Sequence, residues 1–224
     1  MDALKEVKLI EYSKPVDTLN CLTHAIGALC SAAGLAALVI KAVKFTDAAG
    51  TAACVIYGLS LIAVYTISAV YHGLPPGEAK RKARLLDHLA IPLLLAGTST
   101  PFAVITLRRF GMLNFLLVLC IAWFCALFGI TAKLFFFEKL KAAVMAVYFI
   151  GGAVMLFSAV PLMADLDRQA FLIVSAGCLA YTVGALFCHA GIKRPALHIV
   201  FHIFTMLGSF LHFAVIYIKV LRFV

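Results

Sequence analysis

Leu197-His198-Ile199-Val200-Phe201-His202-Ile203-Phe204-Thr205-Met206-Leu207-Gly208-Ser209-Phe210-Leu211-His212-Phe213-Ala214-Val215-Ile216-Tyr217-Ile218 runs from end to end without a Lys, Arg, Asp or Glu. A membrane helix needs about 20 mostly apolar residues, and this stretch supplies them while carrying three histidines. The rest of the chain shares its character. Of 224 residues, 64% are hydrophobic and 13% are charged, whereas a soluble domain is about half apolar and about a quarter charged. The sequence therefore reads as an integral, all-α membrane protein with no room for a sizeable soluble domain.

Seven apolar segments stand out, at roughly 20–43, 50–71, 87–107, 111–132, 142–163, 169–190 and 197–220. Polar breaks separate them, among them Lys44 to Asp47, Pro75 to Arg84, Arg108-Arg109, Lys133 to Lys141, Asp165 to Arg168 and Lys193 to Pro195. The breaks are short, so neighbouring helices are expected to pack antiparallel in one seven-helix bundle. Residues 1–19 form a short polar tail and 20–220 the membrane domain. The first twenty residues lack an apolar run, so no cleavable signal peptide is expected.

The formal net charge of +9 does not point to nucleic acid, because the basic residues are confined to short loops as membrane topology requires. One side collects Lys5, Lys8, Lys14, Lys80, Arg81, Lys82, Arg84, Lys133, Lys139, Lys141, Lys193 and Arg194. The other collects Lys41, Lys44, Arg108, Arg109, Arg168, Lys219 and Arg222. The richer side is the cytoplasmic one, which places the N-terminus inside and the C-terminus outside the plasma (inner) membrane. The run Lys80 to Arg84 also suits anionic headgroups. The seven cysteines lie in apolar stretches without framework spacing and read as small packing residues.

In this topology His72, Asp87, His198 and His202 meet at one depth, on the cytoplasmic side, from three helices. Ionisable groups inside a bilayer are costly and mark functional sites. His198 and His202 are four residues apart, on one helix face about 6 Å apart along the axis. With His72 they form a three-histidine metal set, and three protein ligands with one open position describe a catalytic zinc. Several imidazoles with no Cys or Met partner favour zinc over iron or copper. Asp87 either ligates the metal or acts as general base toward the water the metal activates. Ser68, one turn before His72, is placed to reach the metal or a substrate carbonyl. His24 is either a support of this centre or an interfacial group. His88, rotated about 100° from Asp87, reads as a packing or headgroup residue. His212, about 21 Å beyond His198, reads as a hydrogen-bonded core histidine. Pro92 should kink the third helix, and Gly97 to Pro101 should serve close helix packing or form a wall of a lipid-sized cavity.

Three motifs carry a resemblance. Asn20-Cys21-Leu22-Thr23-His24-Ala25-Ile26-Gly27, then Ser68-Ala69-Val70-Tyr71-His72 with Leu86-Asp87-His88, then His198 to His202 with Gly208, Ser209 and His212 resemble the hemolysin III branch of the progestin and adipoQ receptor superfamily. That superfamily includes the adiponectin receptors, and the likeness spans about residues 17–220. It implies seven spans with the N-terminus inside and zinc on His72, His198 and His202. It also implies Asp87 near the metal through water, with Ser68 close by, and kinship with metal-dependent membrane hydrolases such as alkaline ceramidases. The short N-terminal tail lacks the long extension of the animal receptors, which favours a bacterial member.

The expected function is a zinc-dependent hydrolase of a lipid amide or ester bond acting in membrane homeostasis, with membrane lipids as partners. The alternatives are a receptor or membrane-stress protein with structural zinc, and a pore-forming cytolysin, although no helix shows the polar stripe a pore needs. A retinal protein is set aside because Lys219 lies at the extreme end of the last segment. A two-heme cytochrome is set aside because no second helix carries histidines about 20 Å apart.

Overall fold

The computed structural model describes residues 3–165 and 168–222. It is all-helical among the described residues. The elements are α1 (Ala3–Glu6), α2 (Lys14–Phe45), α3 (Ala48–Gly73), α4 (Glu78–Pro101), α5 (Met112–Phe135), α6 (Lys141–Asp165), α7 (Arg168–Gly191) and α8 (Leu197–Ile218). Each long helix packs on the next in sequence, and α2 also packs on α8, which closes the bundle. Six of these helical segments are long and apolar enough to cross a membrane. In α6 the apolar stretch among the described residues is Lys141–Phe157. The expected break over 165–168 lies in part, at residues 166 and 167, outside the described residues.

Two helices start earlier than their hydropathy suggests, because their first turns are polar. Helix α2 begins at Lys14 rather than near residue 20. Pro15 occupies the opening turn, where its fixed φ and missing N–H cost nothing, and Asp17 lies in the same turn. Helix α4 begins at Glu78 rather than 87 and buries Lys80, Ala83 and Leu85 in its polar opening. Its far end contains Pro101, after which the backbone winds through a π turn (Phe102–Thr106) and a 3-10 turn (Leu107–Phe110). A proline has no N–H for the helical ladder, and a local change of winding is a common response. Gly111, at φ 122°, then reverses the chain in a conformation that side chains disfavour.

Small residues set the helix crossings, as bilayer packing favours. A Cβ on Gly97 would lie 2.3 Å from Ser60 Oγ, so α3 and α4 touch there through backbone and hydroxyl. Thr98 and Thr100 beside it turn their hydroxyls back to carbonyls four residues earlier, and the Thr100 oxygen also accepts from Trp123 Nε1 of α5 at 3.2 Å. Pro92 lies in the same helix, against the open face of Gly129. A polar knot ties α3, α7 and α8: Tyr65 donates to Ser209 Oγ at 2.6 Å, and Tyr181 bonds the same hydroxyl at 2.6 Å. The outer surface is apolar, with Leu29, Leu113, Phe124, Leu186 and Phe210 each 65 to 78% exposed. A surface of this kind is stable only in hydrocarbon or against a partner. The chain is a multi-pass membrane protein.

Candidate metal centre

His72 comes from the last turn of α3, and His198 and His202 from the first two turns of α8. Each can offer one ring nitrogen, and these nitrogens lie within 4.8 Å of one another. His72 and His202 are buried and His198 is half-buried. The i, i+4 spacing brings His198 and His202 to one face, with ring centroids 4.8 Å apart, and His72 reaches to 5.3 and 5.0 Å from them. The set is compatible with a metal ion.

The surrounding hydrogen bonds fit such an ion. His72 Nδ1 lies 2.9 Å from Asp17 Oδ1, so it donates to the carboxylate, and His72 Nε2 is buried with no partner. Thr23 commits its hydroxyl proton to the Leu19 and Asn20 carbonyls. Its oxygen, 3.3 Å from His202 Nδ1, is then free to accept from that ring. Both rings are thus held through Nδ1, which leaves Nε2 as the lone-pair nitrogen. Ligating histidines are fixed in this way by outer partners. A buried acceptor left bare costs about 1–3 kcal/mol, and a cation would remove that cost.

Asp17 was not legible as part of this centre from the sequence. It bridges His72 and Lys80, whose Nζ lies 2.6 Å from Asp17 Oδ2 and whose side chain is 3% exposed. The signal that could have found it is the helix start Ser13-Lys14-Pro15-Val16-Asp17, which moves α2 back by one and a half turns and puts Asp17 on the bundle. Tyr12, just before this start, lies with its ring 5.4 Å from His72 and 5.3 Å from His198. Burial pushes the Tyr12 hydroxyl well above the ordinary phenol range, so it stays a neutral group over the histidines.

Asp87 is not in the three-histidine set. The Ser68 hydroxyl acts on its carboxyl instead, so the two candidate residues face one another across α3 and α4. His24 is buried, and its ring stacks on His202 at 3.6 Å with both nitrogens unpartnered. It belongs to the centre's wall, not to a headgroup layer. His88 packs edge-on against Phe137 at 5.0 Å. His212 bonds the Val174 carbonyl at 3.1 Å from Nε2 and is 1% exposed, as a core histidine should be. His189, at the end of α7, is exposed.

The family described as haemolysin-III related matches residues 12–213, a range that holds every residue of the centre from Tyr12 to His202. Hemolysin-3 of Bacillus cereus is 35% identical over 209 residues, covering 93% of this chain and 93% of its own. Hemolysin-3 homolog of Bacillus subtilis (strain 168) is 35% identical over 190 residues, covering 85% of this chain and 87% of its own. No solved structure matches this chain.

Proposed function

The chain belongs to the haemolysin-III related family, and from that premise we propose that it is a seven-span zinc protein of the plasma membrane that hydrolyses a lipid amide or ester bond. The observation that carries this reading is the three-histidine set, in which Nε2 of His72 is buried and bare while Nδ1 is taken by Asp17. Helix α6 has 25 residues, about 37 Å of helix, and makes the seventh span. An odd number of spans puts the termini on opposite sides. The excess of Lys and Arg sets the N-terminus and the metal centre on the cytoplasmic side.

His72, His198 and His202 would hold the metal, and an all-imidazole set suits zinc. When bound, zinc supplies Lewis-acid polarisation of a carbonyl and lowers the pKa of water. Asp17 keeps His72 in its ligating tautomer, with Lys80 holding Asp17. An Asp87 carboxylate oxygen takes the proton of the attacking water and returns it to the leaving amine nitrogen or alkoxide oxygen. Ser68 orients Asp87 through its hydroxyl and is close enough to the histidines by helix position to meet the substrate carbonyl. The apolar helix faces accept acyl chains and exclude bulk water.

A second reading has one observation in its favour. Tyr12 covers His72 and His198, which suits a closed, structural zinc in a membrane-homeostasis protein without turnover. The two are separated by metal analysis of protein purified without chelators, together with assays on N-acyl and O-acyl lipids. About one zinc per chain, lost in His72→Ala and His202→Ala, with turnover that Asp87→Asn abolishes while zinc remains, supports the hydrolase. Zinc without turnover of either lipid class favours the structural reading. Absence of stoichiometric zinc sinks both.

A further inference from the structure

Phe137, in the connection between α5 and α6, is 2% exposed and packs with Val7 and Leu85. Three basic groups converge on its ring. Lys133 Nζ lies 4.5 Å from the ring centre, the Arg84 guanidinium carbon 5.9 Å, and His88 stands edge-on at 5.0 Å. Lys133 is 8% exposed, and its Nζ donates to the Phe137 carbonyl at 3.2 Å. Arg84 is half-buried.

The acids at this end of the bundle are engaged elsewhere. Asp17 holds His72 and Lys80, Glu78 holds Lys82, Glu6 faces Lys139, and Glu138 faces Lys141. Asp87 has the Ser68 hydroxyl beside it, and Glu11 is exposed. Among the described residues, neither Arg84 nor Lys133 has a carboxylate within ion-pair distance. A cation withdrawn from water needs compensation. One phenyl face gives part of it, but here a single ring serves two cations that repel each other. Asp87 acts on Arg84 and Glu138 on Lys133 only from beyond ion-pair distance, so among the described residues the cluster lacks an anionic oxygen in direct contact. Arg84 lies in the second turn of α4 and Lys133 in the last turn of α5, so the cluster lies near helix ends, where the headgroups of a bilayer lie.

We propose that Arg84 and Lys133, gathered on the Phe137 ring, form a subsite for a phosphate group, filled by the phosphodiester of an anionic membrane lipid. The guanidinium offers a planar pair of donors that matches two phosphate oxygens, and the ammonium adds a point charge. The subsite requires neither zinc nor turnover, so it stands apart from the hydrolase reading. Free inorganic phosphate carries the same chemistry and is the competing occupant.

The test is native mass spectrometry of the full chain in detergent with equal dioleoylphosphatidylglycerol and dioleoylphosphatidylcholine. The wild type should retain the glycerol lipid about tenfold over the choline lipid, whose own cation compensates its phosphate. An Arg84→Gln/Lys133→Met double variant should bring the ratio near one, with monodisperse elution as the folding control. Arg84→Gln alone, at the half-buried position, should move it in the same direction. Failure of millimolar inorganic phosphate to displace the lipid supports the headgroup as occupant. Displacement supports the phosphate subsite and gives it to the free ion. No lipid preference in the wild type together with no effect of phosphate, or the same preference in wild type and a folded variant, overturns the proposal.

Discussion

Replacing Asp17 with Ala takes one acceptor from His72 Nδ1 at 2.9 Å and another from Lys80 Nζ at 2.6 Å. His72 then loses what fixes its tautomer, and its Nε2 is no longer held ready as a ligand. Loss of such an outer partner lowers metal affinity by about 10- to 100-fold, or about 1.4–2.7 kcal/mol. Lys80, with its side chain 3% exposed, is left without its carboxylate, which costs about 1–3 kcal/mol. The low end applies here, because the Asp17 side chain is 20% exposed and water can replace part of the interaction. Asp17→Asn keeps an oxygen for His72 but not the charge for Lys80, so its zinc affinity should fall less than that of Asp17→Ala. The assay is zinc competition with a chromophoric chelator, beside thermal unfolding with zinc and with EDTA. If Asp17→Ala binds zinc within about twofold of the wild type while His72→Ala does not bind it, Asp17 does not position His72 and the tautomer argument fails.

Two further outcomes test the frame around the centre. A Cβ at Gly177 would lie 2.3 Å from His212 Nε2, which is anchored on the Val174 carbonyl. Gly177→Ala should therefore destabilise by about 1–3 kcal/mol, read as a lower Tm in detergent, with partial recovery on adding His212→Ala; an unchanged Tm refutes the tight α7–α8 contact. Outside the spans, the Gly50 amide first and the Arg108 side chain second hold the Asp47 carboxyl below the ordinary carboxylate range. A group whose folded pKa is depressed adds stability that is present above its unfolded value, about 4, and is lost as pH falls through the folded value. The wild-type Tm should thus fall more steeply below about pH 4 than that of Asp47→Asn, and parallel curves would exclude this cap.

The three-histidine cluster was legible because two of its members share a helix. The rise per residue alone puts His198 and His202 on one face, and His72 ends the helix that hydropathy marks at 50–71. The carboxylate was harder. Asp87 drew notice because it opens an apolar run, whereas Asp17 lay in what reads as a polar tail. Hydropathy follows the hydrocarbon part of a helix and misses the polar turn that extends it, so the centre's N-terminal wall of Tyr12, Asp17 and His24 was only partly visible. The pairing of Ser68 with Asp87 was likewise hidden, because helix position gives a face but not the neighbour that the face meets.

By itself the sequence determined a helical membrane protein, the approximate extent of its apolar segments, and a three-histidine set near one end. Those follow from composition, from runs about as long as a bilayer is thick, and from the periodicity of one helix. Only the tertiary structure decided which carboxylate orients His72, that His24 stacks on His202, and that Arg84 and Lys133 share one phenyl ring. Such contacts join residues tens to more than a hundred positions apart, 55 for His72 with Asp17 and 179 for His202 with Thr23. They depend on how each helix is rotated against its neighbours. That rotation is set by close fits such as Gly97 on Ser60 and Gly177 on His212, which no single segment encodes.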